Sequence, residues 1–203
     1  GVFINPGRTP DQQEANGSSW GDRINNRAME YNELNNNYGR MIVEELIPSL
    51  QKDYNISNDP EYRAIAGHSS GAIAAFTVAW HYPDVFRKVY STIGSYVSIG
   101  FKPDENPIKL GGQDYPALIR RESIRPIRIY IQDGINDLSN RWGNWFLANQ
   151  QMVSAMEYAN ANADDKQIEG PRYQFKAVWT DGVHNDKHPG MLLPEGLRWL
   201  WQE

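Results

Sequence analysis

The fold prediction starts from residues 63–71, which read Arg-Ala-Ile-Ala-Gly-His-Ser-Ser-Gly. The short stretch Arg63–Ala66 predicts a buried strand, and the Ala-rich stretch Gly71–Trp80 predicts a helix soon after it. Between them, Gly67–Gly71 matches G-x-S-x-G, a sharp strand-to-helix turn that exposes its serine. Both glycines are expected to be required, because a Cβ in so tight a turn would collide with the neighbouring strand or helix. Ser69 is therefore the candidate nucleophile, and a Gly/Ser-rich turn without chemistry is the alternative.

The rest of the chain alternates strand patterns with helical patterns. Strands are predicted at Val2–Ile4, Lys88–Ile93, Ile127–Ile131 and Tyr173–Trp179, and helices at Tyr38–Leu50, Pro116–Arg121, Trp145–Tyr158 and Pro194–Trp201. Pro48 lies inside the first of these helices and is expected to kink or split it. Such alternation is typical of a mostly parallel sheet with helices on both faces. We therefore predict an α/β fold with three layers, α/β/α, and a sheet of about five strands.

The composition narrows the class of protein. The 203 residues carry 20 Lys and Arg against 25 Asp and Glu, a net charge of −5, and no Cys. A basic face for nucleic acid is therefore not expected, and disulfides, thiolate zinc sites and cysteine nucleophiles are excluded. No apolar run reaches the roughly 18–20 residues that a membrane span needs. We predict a single domain over residues 1–203 that uses neither a metal nor a cofactor.

Two further candidate residues, Asp137 and His184, each lie in a loop just after a predicted strand. Parallel sheets place their sites at these strand ends, and the order Ser69, Asp137, His184 is that of α/β-hydrolase triads. Asp133 competes with Asp137, and His188 competes with His184. The spacing of the two histidines also fits a metal pair on a helix, but the Pro and Gly that follow His188 argue against a helix there.

A serine, a carboxylate and a histidine in this order indicate nucleophilic ester cleavage. His184 would take the Ser69 proton while Ser69 Oγ attacks an ester carbonyl, and Asp137 would hold the imidazole. The N–H of Ser70, at the start of the following helix, would bind the oxyanion. An acyl-enzyme would form, and water activated by His184 would hydrolyse it.

The same stretches resemble a known family. Residues 38–80 and 127–201 are similar to the α/β-hydrolase serine esterases that include enterochelin esterase, esterase D and the feruloyl and acetylxylan esterases of carbohydrate esterase family 1. The matching stretches are Glu44–Pro48, Arg63–Gly71, Asp133–Asp137 and Asp181–His184. The resemblance implies an α/β-hydrolase fold and a carboxylic ester hydrolase, with Ser69 as nucleophile, Asp137 as acid and His184 as base.

The resemblance also implies that the first part of the family fold has no counterpart in this chain. By its place before the Pro48 helix, Val2–Ile4 corresponds to the family's fourth strand. The first three strands, and the loop that carries the second oxyanion donor, would then be missing. We expect residues 1–203 to form an N-terminally incomplete hydrolase domain. Gly7 or Arg8 is the alternative source of the second donor.

Loops set the substrate in enzymes of this fold. The candidate loops are residues 8–37, 97–114 and 138–146. The predicted substrate contacts are His68, beside the nucleophile, and the rings of Trp142 and Trp145, whose faces suit a sugar or a phenolic group. Trp20 is a further aromatic residue in the first loop.

The expected substrate is a small-molecule or polysaccharide-linked ester, such as a feruloyl or acetyl ester. A siderophore trilactone of the enterochelin type is the alternative within the same class. A non-catalytic hydrolase-fold binding module, or a fragment, is the alternative outside it. The sequence predicts neither a nucleic-acid nor a membrane partner. It leaves the oligomeric state and the compartment open, with a secreted or periplasmic location as one alternative for a soluble chain.

Overall fold

The computed structural model describes residues 1–10 and 26–202. The elements along the chain are α1 (Arg27–Tyr31), α2 (Asn37–Arg40), a π-helical segment (Met41–Leu46), α3 (Ile47–Leu50), a 3₁₀ turn (Pro60–Tyr62), β1 (Ala64–His68), α4 (Ser70–His81), β2 (Lys88–Thr92), a 3₁₀ turn (Gly112–Asp114), α5 (Tyr115–Arg121), β3 (Arg128–Gly134), β4 (Ser139–Asn140), β5 (Gly143–Asn144), α6 (Trp145–Asp165), β6 (Gln174–Thr180) and α7 (Lys187–Trp201).

Within these described residues, the central sheet has four parallel strands in the order β1-β2-β3-β6. Helices connect successive strands of this sheet, as parallel pairing requires. The register places His68, Thr92, Gln132 and Val178 side by side across the sheet. The loops that leave all four strands therefore emerge at one edge, and this edge carries the candidate site.

The two faces of the sheet bury different side chains. Val89 and Ile129 are fully buried in the larger core, which α4 and α6 help to form. Tyr90 and Tyr130 alternate with them and stack on the opposite face, with ring centroids 5.3 Å apart, against Leu200 of α7. This alternation is that of strands buried on both faces. The predicted three-layer α/β/α architecture is confirmed.

Pro48 is accommodated by a change of helical pitch before it. The chain stays helical from Asn37 to Leu50, but Met41–Leu46 forms wider π-helical turns. A proline ring clashes with the carbonyl four residues earlier in a regular α-helix, and wider turns avoid this clash. The predicted disruption of this helix is therefore found on the N-terminal side of the proline.

The predicted strand Val2–Ile4 is wrong. These residues belong to no strand of the described chain, and the Phe3 side chain is 97% exposed. Three apolar residues form a strand only where a neighbour pairs with them, and here the Ile4 carbonyl instead accepts a hydrogen bond from the Tyr31 hydroxyl at 3.1 Å. The described central sheet consequently has four strands rather than about five.

The last helix is longer than predicted. It begins at Lys187, so Pro194 lies inside α7 rather than at its first turn. The expectation that Pro189 and Gly190 exclude a helix at His188 is therefore wrong, because Pro189 falls in the first turn, where a proline is tolerated. The described residues contain no helix that is both long and apolar enough to cross a membrane.

Candidate active site

Ser69 occupies the sharp turn between β1 and α4. Its φ of 57° is positive, which is uncommon for a residue with a side chain and indicates local strain. A Cβ on Gly67 would lie 2.1 Å from the Gly71 carbonyl oxygen, so only glycine fits there. A Cβ on Gly71 would meet nothing within 4 Å. The expectation that both glycines are required is therefore right for Gly67 and wrong for Gly71, whose missing side chain would face open space.

The structure brings the three predicted residues Ser69, Asp137 and His184 together. His184 Nε2 lies 2.9 Å from Ser69 Oγ, and His184 Nδ1 lies 2.6 Å from Asp137 Oδ1. An ionised carboxylate only accepts hydrogen bonds, so the imidazole proton lies on Nδ1. Nε2 then carries a free lone pair, which faces the Ser69 hydroxyl. This protonation state suits a base that removes the serine proton.

Backbone hydrogen bonds fix the distance between Asp137 and His184. The N–H of Ile135 donates to Thr180 O at 2.9 Å, and the N–H of Asn136 donates to Gly182 O at 3.1 Å. A Cβ on Gly134 would lie 2.2 Å from Gly182 O, so the loops after β3 and β6 approach at glycines. The two loops thus hold the carboxylate and the imidazole as one unit.

Asp133, the alternative carboxylate, has a different role. It is fully buried and accepts hydrogen bonds from the Gly134 N–H at 2.7 Å and from Asn149 Nδ2 at 2.6 Å. Burial, with a hydrogen bond and charge repulsion from Asp137, raises the pKa of Asp133 to about 9. Because this pKa lies above neutral pH, Asp133 holds a proton there while its neighbour Asp137 is ionised.

The Asp137 carboxylate is stabilised in its charged form. Burial by itself would raise the pKa of Asp137, but hydrogen bonds with His184, Asp133 and the Leu138 N–H outweigh it and lower this pKa. Asp137 is therefore the ionised partner of the pair, and it is the one that contacts the imidazole.

His188, the alternative base, points elsewhere. Its Nδ1 lies 2.8 Å from Thr180 Oγ1, and its Nε2 lies 3.9 Å from the exposed Asp181 carboxylate. His184 is thus the histidine that contacts Ser69.

The predicted oxyanion donors have different surroundings. Ser70 is the first residue of α4, where backbone N–H groups lack partners within the helix. Its side chain accepts a hydrogen bond from Arg27 Nη1 at 2.9 Å. The alternative that Gly7 supplies the second donor is wrong, because its N–H donates to the Glu30 carboxylate at 3.0 and 3.2 Å. For Arg8 the alternative stays a prediction.

Comparison with known proteins identifies the family and the fold. The family described as "Putative esterase" matches residues 8–188. The chain belongs to this esterase family. Among solved structures, the enterochelin esterase of Shigella flexneri shares 23% identity and superimposes with a TM-score of 0.65 over 87% of this chain and 39% of that one. A ferulic acid esterase shares 20% identity with a TM-score of 0.59, covering 80% of this chain and 60% of that one. These similarities establish the α/β-hydrolase fold.

The match to one curated relative covers a shorter part of this chain. The uncharacterized protein YbbA of Bacillus subtilis is 26% identical over 73 residues, which are 36% of this chain and 29% of that protein. The matched part of this chain therefore spans 29% of the length of that relative and 39% of the length of the enterochelin esterase.

Two further residues of this esterase chain reach the candidate site. Ser95, in the loop after β2, places its Oγ 3.1 Å from Ser69 Oγ. Trp145 Nε1 donates to Ser95 Oγ at 2.8 Å, and the Trp145 ring packs edge-on against His184. Sequence reasoning missed Ser95, although its place just after a parallel strand was a usable signal. Trp145, predicted to contact substrate, is instead buried between Ser95 and His184.

The remaining predicted substrate contacts lie at the surface. His68 is exposed, and desolvation together with the charge of Arg27 lowers its pKa. Trp142 is 39% exposed, with the Arg141 guanidinium 4.6 Å from its ring centroid. The N–H of Ser98 donates to Trp142 O at 2.9 Å and so joins the loops 97–114 and 138–146. Of the loop 8–37 the structure describes residues 8–10 and 26–37, and Trp20 lies outside the described residues.

Proposed function

We propose that the chain is a serine carboxylic ester hydrolase that works through an acyl-enzyme on Ser69. The observation that carries the proposal is the hydrogen-bonded series Ser69 Oγ, His184 Nε2, His184 Nδ1 and Asp137 Oδ1, with separations of 2.9 and 2.6 Å. Membership of the esterase family supports the same reaction class.

In the proposed mechanism, His184 Nε2 accepts the Ser69 proton as Oγ forms a bond to the ester carbonyl carbon. The Asp137 carboxylate stabilises the resulting imidazolium, and the Ser70 N–H binds the oxyanion. His184 then donates the proton to the departing alcohol. Water, deprotonated by the same imidazole, attacks the acyl group and releases the acid and the serine hydroxyl.

Ser69→Ala tests the nucleophile. Hydrolysis of p-nitrophenyl acetate by this variant should fall to the buffer rate. Ser154→Ala is the matched control, because this serine lies on α6, where its Oγ accepts a hydrogen bond from Arg120. An intact-mass increase of one acetyl group, present on the quenched wild-type chain and absent from Ser69→Ala, would identify the acyl-enzyme. Equal hydrolysis by Ser69→Ala and the wild type would refute the assignment.

For the substrate, we propose an ester linked to a carbohydrate, such as a feruloyl or acetyl ester. The exposed Trp142 ring, which can stack on a sugar or a phenolic ring, supports this class. A ferulic acid esterase and an enterochelin esterase are among the structural neighbours, so a siderophore trilactone is the second candidate. Purified chain should be assayed with methyl ferulate, acetylated xylan and enterochelin. Turnover of enterochelin alone would favour the second candidate.

A non-catalytic binding module is the alternative outside this class. It predicts binding of an ester or a carbohydrate with no hydrolysis above the buffer rate by the wild-type chain. The three residues of the series argue against it, because each occupies a position in which it can act.

A further inference from the structure

Ser95 Oγ contacts two groups at the candidate site. It lies 3.1 Å from Ser69 Oγ and 2.8 Å from Trp145 Nε1. Both Ser95 and Trp145 are almost fully buried, at 1% and 3% exposure. These are the hydrogen bonds of Ser95 Oγ within the described part of the chain.

The chemistry of the two contacts fixes the direction of the hydrogen bonds. An indole N–H can only donate, so Ser95 Oγ accepts from Trp145. A hydroxyl carries a single proton, and the remaining partner of Ser95 Oγ is Ser69 Oγ. Ser69 in turn directs its own proton to His184 Nε2, because Nδ1–H donates to Asp137. The donors therefore run from Trp145 to Ser95, from Ser95 to Ser69, and from Ser69 to His184.

The backbone around Ser95 is held rigidly. Ser95 N–H donates to Ser69 O at 3.2 Å, and Ser69 N–H donates to Thr92 O at 3.1 Å, so the two turns are joined directly. Ile93 has a φ of 41°, which is rare for a β-branched residue and marks strain of the kind found at functional sites. Asn149 Nδ2 donates to Gly94 O at 2.8 Å and supports the same turn.

We propose that Ser95 is a further catalytic residue of the reaction assigned to Ser69, a proposal that rests on the function proposed above. Its hydroxyl donates to Ser69 Oγ, which gains partial negative charge while its proton moves to His184 and before the bond to the carbonyl carbon is complete. The hydrogen bond strengthens when His184 removes the Ser69 proton, and again when Oγ leaves the acyl carbon during deacylation. Ser95 gains and loses no proton in either step. Trp145 acts through Ser95, because it keeps the serine hydroxyl turned towards Ser69.

The test compares Ser95→Ala, Trp145→Phe and the double variant. For each, kcat and KM are measured with p-nitrophenyl acetate, and the rate of Ser69 phosphonylation by a fluorophosphonate is followed by intact mass. A hydrogen bond to a developing charge contributes about tenfold to a hundredfold. Ser95→Ala should lower kcat and the phosphonylation rate by about this factor, with KM within about twofold of the wild type.

The double variant should be no slower than Ser95→Ala, since Trp145→Phe removes the N–H that contacts Ser95 and keeps an aromatic ring beside His184. Ser91→Ala is the matched control: this fully buried serine of β2 has a hydroxyl 2.8 Å from Tyr96 OH and does not contact Ser69. It should keep kcat within about twofold of the wild type. If Ser95→Ala does not fold, Ser95→Cys provides the test, because a thiol is a weak donor of similar size and should give an intermediate loss.

The outcomes separate the two proposals. A wild type without esterase activity overturns both. An active wild type with an inactive Ser69→Ala, but with Ser95→Ala at the wild-type kcat and phosphonylation rate, overturns the role of Ser95 alone. An equal loss in Ser91→Ala and Ser95→Ala would also overturn it, because the loss would then come from removing any buried hydroxyl of this region.

Discussion

The Asp133 carboxyl makes folding of this chain dependent on pH. It is fully buried next to Asp137, whose Oδ2 is buried without a hydrogen-bond partner among the described residues, and burial together with this neighbouring carboxylate raises the pKa of Asp133. The pKa of Asp133 is about 9 in the folded chain, against about 3.9 in an unfolded one. Between these two values the folded chain holds a proton that the unfolded chain has released, so raising the pH favours unfolding.

Asp133→Asn removes this dependence while keeping the size of the side chain. Each pH unit within the window changes the free energy of unfolding by about 1.4 kcal/mol. From pH 5 to pH 8, the stability of Asp133→Asn relative to the wild type should therefore rise by about 4 kcal/mol. That change is large against a total stability of about 5–15 kcal/mol.

Urea unfolding followed by tryptophan fluorescence at pH 5, 6, 7 and 8 measures the difference. Other titrating groups largely cancel, because both chains carry them. Asp164→Asn is the matched control, since this carboxylate pairs with Arg172 at the surface and its side chain is 67% exposed. Its stability relative to the wild type should stay nearly constant across the range. If the stability of Asp133→Asn relative to the wild type were equally constant with pH, Asp133 would be ionised in the folded chain. That result would refute the protonated Asp133.

Three further predictions concern positions of different kinds. Gly67→Ala should prevent folding or lower the melting temperature sharply, whereas Gly71→Ala should match the wild type or gain up to about 1 kcal/mol, as melting curves of the pair would show. Asp137→Asn should lower kcat for p-nitrophenyl acetate by about 10³–10⁴ with the fold intact by circular dichroism; a loss under tenfold would contradict the role of this carboxylate. Gly196→Ala should cost about 1–3 kcal/mol in urea unfolding, because its Cβ would lie 2.3 Å from the buried Tyr90 ring; an unchanged midpoint would show that the ring can move.

The sequence was sufficient for those parts of the site that follow from local rules. The turn at Ser69 has a motif of its own, and Asp137 and His184 lie just beyond apolar strands whose ends must share one edge of a parallel sheet. Asp133 lies at the strand end itself, where a carboxylate can shape the turn, and Asp137 lies in the loop beyond it. The structure agrees, since Asp133 turns into the core and Asp137 contacts His184.

Features that depend on contacts across the fold could not be read from the sequence. The position of Ser95 just after a strand marks it only as one loop residue near the site, and its contact with Ser69 arises because β1 and β2 pair in register. Trp145 is the first residue of an amphipathic helix. The spacing of apolar residues along this helix does not indicate whether the Trp145 ring faces the core or a substrate. The error at Val2–Ile4 has the same origin, because apolar residues pair as a strand only where a neighbouring strand is present.

The backbone hydrogen bonds between the loops after β3 and β6 have a consequence for engineering this chain. Ile135 and Asn136 bind Thr180 and Gly182 through main-chain atoms, so the spacing of the carboxylate and the imidazole does not depend on which side chains these loops carry. The short β4–β5 hairpin that follows can therefore be exchanged for other sequences while Asp137 and His184 keep their relative geometry. Substitution libraries at residues 139–143 should therefore alter the preference among esters more than the rate constant for cleavage of the ester bond.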